Sequence, residues 1–319
     1  MSECLDDAVL LGFVEQRLDG PTAARVERHI DACGACRRLL AMLAPRETRG
    51  RTLDGRWLLE EPIGVGSMGR VFAARDTQSG ERVAVKLMRD GVPAQLERFA
   101  REAELLKRIA HPGVVGIREV LELDDGLALV MDLLEGTSLE VHLTKRERET
   151  AGEARRIGIA LAEAAGAAHA VGIVHRDVKP ANVFLERGEP PRVRLLDFGL
   201  AKLIRADSAA STIGRLTASG TAIGTPAYMA PEQVRGEKDV DARADVWGVA
   251  AVMYRMLAGR APVEGRSFGE VFRRLQAPVA PLGNVRPDVP AALCRVVDRA
   301  LSLDREQRPA DGTALARQL

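Results

Sequence analysis

No stretch of this 319-residue chain is apolar for long enough to cross a bilayer as a helix. The longest candidate, Val246 to Tyr254, falls far short of the ~20 residues such a span needs, and reads as a buried helix. Charge of one sign is lacking too. Lys and Arg number 46 against 45 Asp and Glu, a formal net charge of +1, which removes any global pull toward nucleic acid or anionic lipid. The first residues, with Glu3, Asp6 and Asp7, have neither the basic flank nor the cleavage site of a secretory signal. No internal repeat is visible. These absences lead us to expect a soluble cytoplasmic protein with no nucleic-acid and no membrane partner. Cysteine is scarce and uneven: Cys4, Cys33 and Cys36 crowd the start, and Cys294 stands alone. The remainder, 46% hydrophobic and 29% charged, is an ordinary globular balance, and the length allows one large core or two to three smaller units.

The hydrophobic period changes along the chain. In residues 1–44, Val9, Leu10, Phe13, Val14 and Leu18 recur at helical spacing. Asp19-Gly20-Pro21 breaks the pattern, Thr22 to Asp31 resumes it, and a third helical stretch runs from Cys36 through Leu43. Residues 45–55 are polar, basic and glycine-bearing, and read as a linker. From Arg56 the runs 70–75 and 82–88 read as strands around a turn. Residues 94–109 read as an amphipathic helix, with Leu96, Phe99, Ala103 and Leu106 on one side. Beyond Glu153 the spacing is mostly helical, interrupted by strand-like pieces at 183–185 and 193–196. Strands first and helices later predict an α+β body of two lobes: residues 56–319, divided near 134 and 135, preceded by a small all-α head.

The most informative run is His175-Arg176-Asp177-Val178-Lys179-Pro180-Ala181-Asn182, followed 15 residues after its Asn by Asp197-Phe198-Gly199. It sets a proton acceptor, a cation and two oxygen ligands at fixed separations, the equipment for moving a phosphoryl group to a hydroxyl. Upstream, Ile63-Gly64-Val65-Gly66-Ser67-Met68-Gly69-Arg70-Val71 is rich in glycine. Without Cβ atoms, backbone N–H groups can approach phosphate oxygens closely. The same glycine spacing occurs in dinucleotide-binding folds, but there a helix follows, and here β-type sequence follows. In Val83-Ala84-Val85-Lys86 the residues alternate faces, so Ala84 and Lys86 share one. A small residue there leaves room for a flat base beside the ammonium. Glu102, 16 residues beyond Lys86, borders the inward side of its helix and can supply the partner charge that a buried Lys needs.

With these motifs in this order, residues 56–319 resemble the eukaryotic-type Ser/Thr protein kinases, particularly the bacterial branch. The resemblance implies a two-lobed protein-kinase-like fold that transfers the γ-phosphate of ATP, with Mg²⁺ or Mn²⁺, to protein hydroxyls. Asp177 would accept or orient the substrate proton, Lys179 would hold the γ-phosphate, and Asn182 and Asp197 would ligate the metal. Ile63, Val71, Ala84 and Phe184 would sandwich the adenine. Met131 would be the gatekeeper, with Asp132 and Leu134 following it in the segment that presents backbone groups to the base. Arg176 implies regulation by phosphorylation of the 197–232 segment, where Thr217 and Ser219 resemble autophosphorylation sites. A homodimer would serve that autophosphorylation. Thr225 resembles the residue that supports Asp177 and Lys179 beside the substrate. Glu232 and Arg308 resemble a buried structural ion pair, and Asp245 an anchor of the catalytic loop. His175 reads as structural. Lys179 with Gly224-Thr225-Pro226 resembles Ser/Thr-specific rather than Tyr-specific members.

The head carries its own constellation. His29 and Cys33 are four apart on one helix face, and Cys36 follows just past Gly34. With Cys4 as fourth ligand, the set suits tetrahedral Zn²⁺, which would staple a piece too short for a large core. Together with Leu18-Asp19-Gly20 it resembles the zinc-finger-type domain of bacterial anti-sigma factors, which implies a protein partner for residues 1–44. A thiol–disulfide switch and a metal-free helical hairpin are the alternatives. Cys294 reads as a small buried hydrophobe. For the whole chain the alternative to an active kinase is a kinase-like scaffold whose head captures a partner such as a sigma factor. A scaffold would be expected to lack one of Lys86, Asp177, Asn182 or Asp197, and all four are present.

Overall fold

The alternation along one strand organises the N-terminal part of the fold. In the computed structural model, which describes residues 5–14, 18–33, 36, 40, 50–66, 69–89, 103–123, 126–197, 226–265 and 268–319, β4 (Arg82–Arg89) turns Val83, Val85 and Leu87 into a core. Ala84 and Lys86 face the other way and are nearly buried as well. The strand lies inside a six-stranded antiparallel sheet of order β1-β2-β3-β4-β6-β5. Its other members are β1 (Thr52–Leu53), β2 (Trp57–Gly66), β3 (Gly69–Asp76), β5 (Ile117–Leu123) and β6 (Gly126–Asp132). Leu53, Trp57, Leu59, Phe72, Leu121 and Val130 complete the core on the β4 inner face. β1 begins inside the stretch read as linker, because Thr52 and Leu53 pair with Leu58 and Trp57. At the same end the Arg56 guanidinium stacks on the Trp57 ring, 4.4 Å from its centroid. It also bonds Asp76 twice, at 3.0 and 2.8 Å, which holds the Asp76 carboxyl well below the usual carboxylate range.

β2 and β3 form an antiparallel hairpin whose register ends with Gly66 opposite Gly69. Gly69 has φ +146°, and a Cβ there would lie 1.9 Å from the Leu87 carbonyl oxygen. Only glycine permits this close approach of β3 to β4. Of the amphipathic stretch 94–109, residues 103–106 are helical, with Ala103 and Leu106 buried. Residues 90–102 lie outside the described residues.

The head contributes α1 (Asp7–Val14) and α2 (Gly20–Ala32). The expected break at Asp19-Gly20-Pro21 falls between α1 and α2, and its last two residues already belong to α2. The Asp19 carboxylate accepts from the Thr22 N–H at 2.8 Å, and Pro21 sits in the first turn, where its missing N–H costs nothing. Leu10, Val26, Ile30, Cys36 and Leu40 form a small core of their own. That is the minimum an amphipathic helix pair needs, and it leaves room for a metal to add stability.

The chain divides into two compact units, residues 1–108 with 115–135 and residues 109–114 with 136–319. The second unit holds a small antiparallel sheet, β7 (Gly136–Ser138), β8 (Val183–Glu186) and β9 (Arg192–Leu195). Its helices are α3 (Leu139–Lys145), α4 (Ala151–His169), α5 (Pro231–Val234), α6 (Arg243–Ala258), α7 (Phe268–Arg274), α8 (Leu282–Val285), α9 (Ala291–Ala300) and α10 (Gly312–Gln318). α6 is buried almost all round, as a central helix is, and Trp247 and Tyr254 are its largest enclosed side chains. The stretch from Val246 to Tyr254 is therefore core. α4 offers small residues to its neighbours. A Cβ on Gly312 would stand 2.2 Å from the Ala162 carbonyl oxygen, so glycine lets α10 lie directly on α4.

A buried ion pair ties this unit across sequence. Arg308 donates to both Glu232 oxygens, at 2.7 and 2.9 Å, and its remaining N–H groups reach the carbonyls of Ser302 and Arg243. The guanidinium also lies 5.1 Å from the Trp247 ring centroid. Removing one partner of such a pair strands the other charge, at a cost of about 3–5 kcal/mol. Arg308→Ala is expected to lower the unfolding free energy by that amount in urea titrations followed by circular dichroism; a change below about 1 kcal/mol would show that the pair is dispensable.

Candidate active site

The catalytic-type loop is held from behind by one carboxylate. Asp245, in the first turn of α6, is fully buried. Its Oδ2 accepts from the His175 N–H at 2.6 Å and its Oδ1 from the Arg176 N–H at 2.7 Å. His169 Nε2 lies 2.9 Å from the same Oδ2, while His169 Nδ1 accepts from the Gly312 N–H at 3.2 Å. That second bond makes Nε2 the protonated nitrogen, hence the donor to Asp245. Burial alone pushes the Asp245 carboxyl up. The hydrogen bond from His169 and the His175 N–H outweigh this and leave it below its ordinary value.

His175 reads the loop from the other side. Its Nδ1 accepts from the Asp177 N–H at 3.2 Å, and its Nε2 lies 2.8 Å from the Leu196 carbonyl. A carbonyl only accepts, so Nε2 carries the proton and the ring is neutral. Complete burial favours the same state and pushes the imidazole pKa down. Arg176 and Asp197 both adopt left-handed backbone, with φ +62° and +49°. Non-glycine residues take that conformation only where surrounding bonds enforce it.

Within this frame the predicted side chains of the second unit converge. Lys179 Nζ lies 3.2 Å from Asp177 Oδ2. The Asn182 amide donates to the same Oδ2 at 3.0 Å and to the Asp177 carbonyl at 2.8 Å. Asn182 ends the short 3₁₀ turn Pro180–Asn182 that leads into β8. Its Nδ2 faces Asp177, so its Oδ1 is the atom left to meet a cation. The Leu196 N–H donates to the Asn182 carbonyl at 2.8 Å, which keeps Asp197 next in chain to a residue bonded to Asn182. An amide oxygen and a carboxylate are the donor types a hard divalent cation takes, so the residues present fit such an ion.

In the first unit, Lys86 and Ala84 share one face of β4, where Val71 stands opposite Lys86 and Met131 opposite Ala84 in register. Ile63 is exposed on β2. Gly64, Val65, Gly66, Gly69 and Arg70 form the facing arms of the hairpin. The Asp132 carboxylate is taken by Arg118, at 3.0 Å. Phe184 lies on β8 and Leu134 just beyond β6. Cys4, Ser67, Met68, Glu102, Phe198, Thr217, Ser219 and Thr225 lie outside the described residues.

Two supporting residues carried no signal of spacing. His169 orients Asp245 from α4. Gln233 of α5 donates from Nε2 to the Arg176 carbonyl at 2.8 Å and accepts from the Ala230 N–H at 3.0 Å. It thereby joins the catalytic-type loop to the Ala230-Pro231-Glu232 run.

In the head, one atom each from His29, Cys33 and Cys36 lies within 4.8 Å of the other two, and His29 Nε2 is 3.1 Å from Cys36 Sγ. Cys33 caps the C-terminus of α2 while His29 sits in its last turn. Two thiols and an imidazole so grouped fit a tetrahedral Zn²⁺ with one further ligand.

Residues 57–318 match the family model for the protein kinase domain, and the chain belongs to that family. Residues 9–37 match a family model described as "Putative zinc-finger". Among curated relatives, serine/threonine-protein kinase pkn2 of Myxococcus xanthus is 39% identical over 286 residues, covering 86% of this chain and 33% of that protein. PkaA, a serine/threonine-protein kinase of Streptomyces coelicolor, is 37% identical over 276 residues, covering 81% and 48%. The DNA damage-responsive kinase RqkA of Deinococcus radiodurans is 38% identical over 276 residues, covering 84% and 40%. The chain thus spans from a third to about half of the length of these relatives. Among solved structures, Rad53 residues 1–466 in complex with AMP-PNP align with a TM-score of 0.66 at 25% identity, over 82% of this chain and 64% of that one. No helix among the described residues is long and apolar enough to cross a membrane.

The frame also sets a pH dependence. His175 must stay neutral in the folded state, while in the unfolded chain it binds a proton below about pH 6.5. The unfolded state then holds more protons, so stability falls as pH drops through that value. Asp245, depressed when folded, withdraws its contribution further down, below about pH 4. Urea midpoints measured at pH 7.5, 6.5 and 5.5 are expected to fall steadily, with a shallower fall in His175→Gln; equal slopes in the two proteins would contradict the neutral ring.

Proposed function

We propose that this chain is an active serine/threonine protein kinase domain, using ATP and Mg²⁺, with an N-terminal zinc-binding module that engages a protein partner. The observation that carries the reading is the Asp177–Lys179–Asn182 cluster, fixed by Asp245 and His175, in a chain of the protein kinase family. The Asp177 carboxylate orients the substrate hydroxyl and takes up its proton as oxygen attacks the γ-phosphorus, while the bond from phosphorus to the ADP oxygen breaks. Lys179 offsets the charge that develops on the transferred group. Lys86 meets phosphate oxygens from β4, with Glu102 as its partner. Asn182 and Asp197 would hold the divalent ion, which neutralises phosphate charge when bound. Gly64 to Gly69 are our candidates for phosphate contacts, and Ile63, Val71, Ala84, Met131 and Phe184 our candidates for contacts with the base. Thr217 and Ser219 are our candidate sites of autophosphorylation, a reaction that a homodimer would serve, and Thr225 supports the substrate hydroxyl. With all four chemical residues in place, the scaffold alternative loses its support.

His29, Cys33 and Cys36, with Cys4 as fourth ligand, would hold zinc as a structural staple. Reduced cysteines of that kind persist in a reducing compartment, which supports a cytoplasmic location.

Purified protein incubated with labelled ATP and Mg²⁺ is expected to phosphorylate itself. Asp177→Asn and Lys86→Met should each reduce labelling by about 100-fold or more, with unchanged circular dichroism. Undiminished labelling in either variant would remove the assigned role. Metal analysis of anaerobically prepared protein is expected to give about one zinc per chain, lost in the Cys33→Ser, Cys36→Ser double variant; protein free of zinc would defeat the metal assignment.

A further inference from the structure

The large unit carries a second concave feature that shares no residue with the catalytic-type loop. A cavity of about 760 Å³ opens between the start of α4, one face of α9 and the end of α10. Its floor is aliphatic, with Leu293 and Val296 from α9. Every charged side chain that lines it is an arginine: Arg155 from α4, and Arg295 and Arg299 from α9.

None of these arginines forms an ion pair with an Asp or Glu side chain among the described residues. Arg155 donates to the Leu319 main-chain oxygen, and Arg299 Nε donates to the Gln307 carbonyl at 2.9 Å. Arg295 is exposed on the helix surface between them. This contrasts with the rest of the protein, where arginines meet carboxylates repeatedly, as in Arg156–Glu153, Arg243–Glu306 and Arg286–Asp288. Among the described residues Arg295 and Arg299 have no carboxylate partner, and these two guanidinium groups beside an apolar floor complement an occupant that is anionic and carries aliphatic side chains.

We propose that this groove docks an acidic, leucine-bearing peptide segment of a partner protein. Its openness favours a polypeptide over a fatty acid, because an acyl chain needs an enclosed apolar tunnel and the three arginines here are exposed. The walls also suit a passing backbone. Ala151 and Gly152 are the first residues of α4, so helix geometry leaves their N–H groups without an intrahelical acceptor. Gly152 presents bare backbone, since a Cβ there would meet nothing within 4 Å. The groove therefore has donors for a main chain, cations for acidic side chains and an apolar floor for leucine.

This docking does not depend on phosphoryl transfer, so it is tested without nucleotide. The probe is a fluorescein-labelled twelve-residue peptide of alternating Glu and Leu, titrated with the full chain and read by fluorescence anisotropy. Saturable binding that weakens with added salt is expected, reduced about tenfold or more in Arg295→Glu and retained in Arg295→Lys. Arg295 is a surface residue, and thermal melts of both variants check that folding persists. Equal binding to the Arg295→Glu variant, or equal binding of a Lys–Leu peptide, would overturn the proposal. So would binding to phosphatidylglycerol vesicles, lost in Arg295→Glu, with no binding of the acidic peptide; the groove would then be a lipid site.

Discussion

One buried carboxylate organises the second unit. Asp245 has no water to solvate it, so its charge is tolerable only because two backbone N–H groups and an imidazole point at it. Those two N–H groups belong to His175 and Arg176, the residues just before Asp177. The requirement of a buried charge for donors and the requirement of catalysis for a fixed loop are met by the same bonds. Arg176 in left-handed backbone is the mark of that constraint. The cost of the conformation is borne by the hydrogen bonds to α6.

From this anchor the rest of the loop follows by local geometry. His175 is neutral because it must accept from one backbone group and donate to another. It therefore sets the distance between the segment that carries Asp177 and the segment that leads to Asp197. Asn182 divides its functions between atoms, with its nitrogen on Asp177 and its oxygen left for a cation. Gln233 does for the Arg176 carbonyl what Asp245 does for its N–H. Side chains with a chemical task thus rest on side chains with only a positional one.

The chemical residues were legible because they lie within a few positions of one another, where spacing and residue type are enough. Lys86 was legible through strand alternation, which set Ala84 and Lys86 on one face and Val83, Val85 and Leu87 on the other. Two positioning residues, His169 and Gln233, were not, unlike Asp245. His169 lies 76 residues from Asp245 and Gln233 lies 57 from Arg176, and no local pattern encodes such meetings. β6 was silent for a different reason. It is buried on both faces along most of its length, so the alternation that betrays a half-buried strand is missing. In the head, the break at Asp19-Gly20-Pro21 was legible, but not that Gly20 and Pro21 already belong to α2. In the linker, two residues became a strand because a neighbouring edge offered them partners.

The Glu232–Arg308 pair joins two points far apart in the order of synthesis. Until translation has passed residue 308, Glu232 has no cation to meet, and the turn of chain around it has no reason to enter the interior. The anchoring of the loop by α6 also draws on residues far along the chain, because Gly312 fixes the His169 tautomer that donates to Asp245. Neither the loop anchor nor the ion pair is therefore complete before residues 308 to 312 have been made.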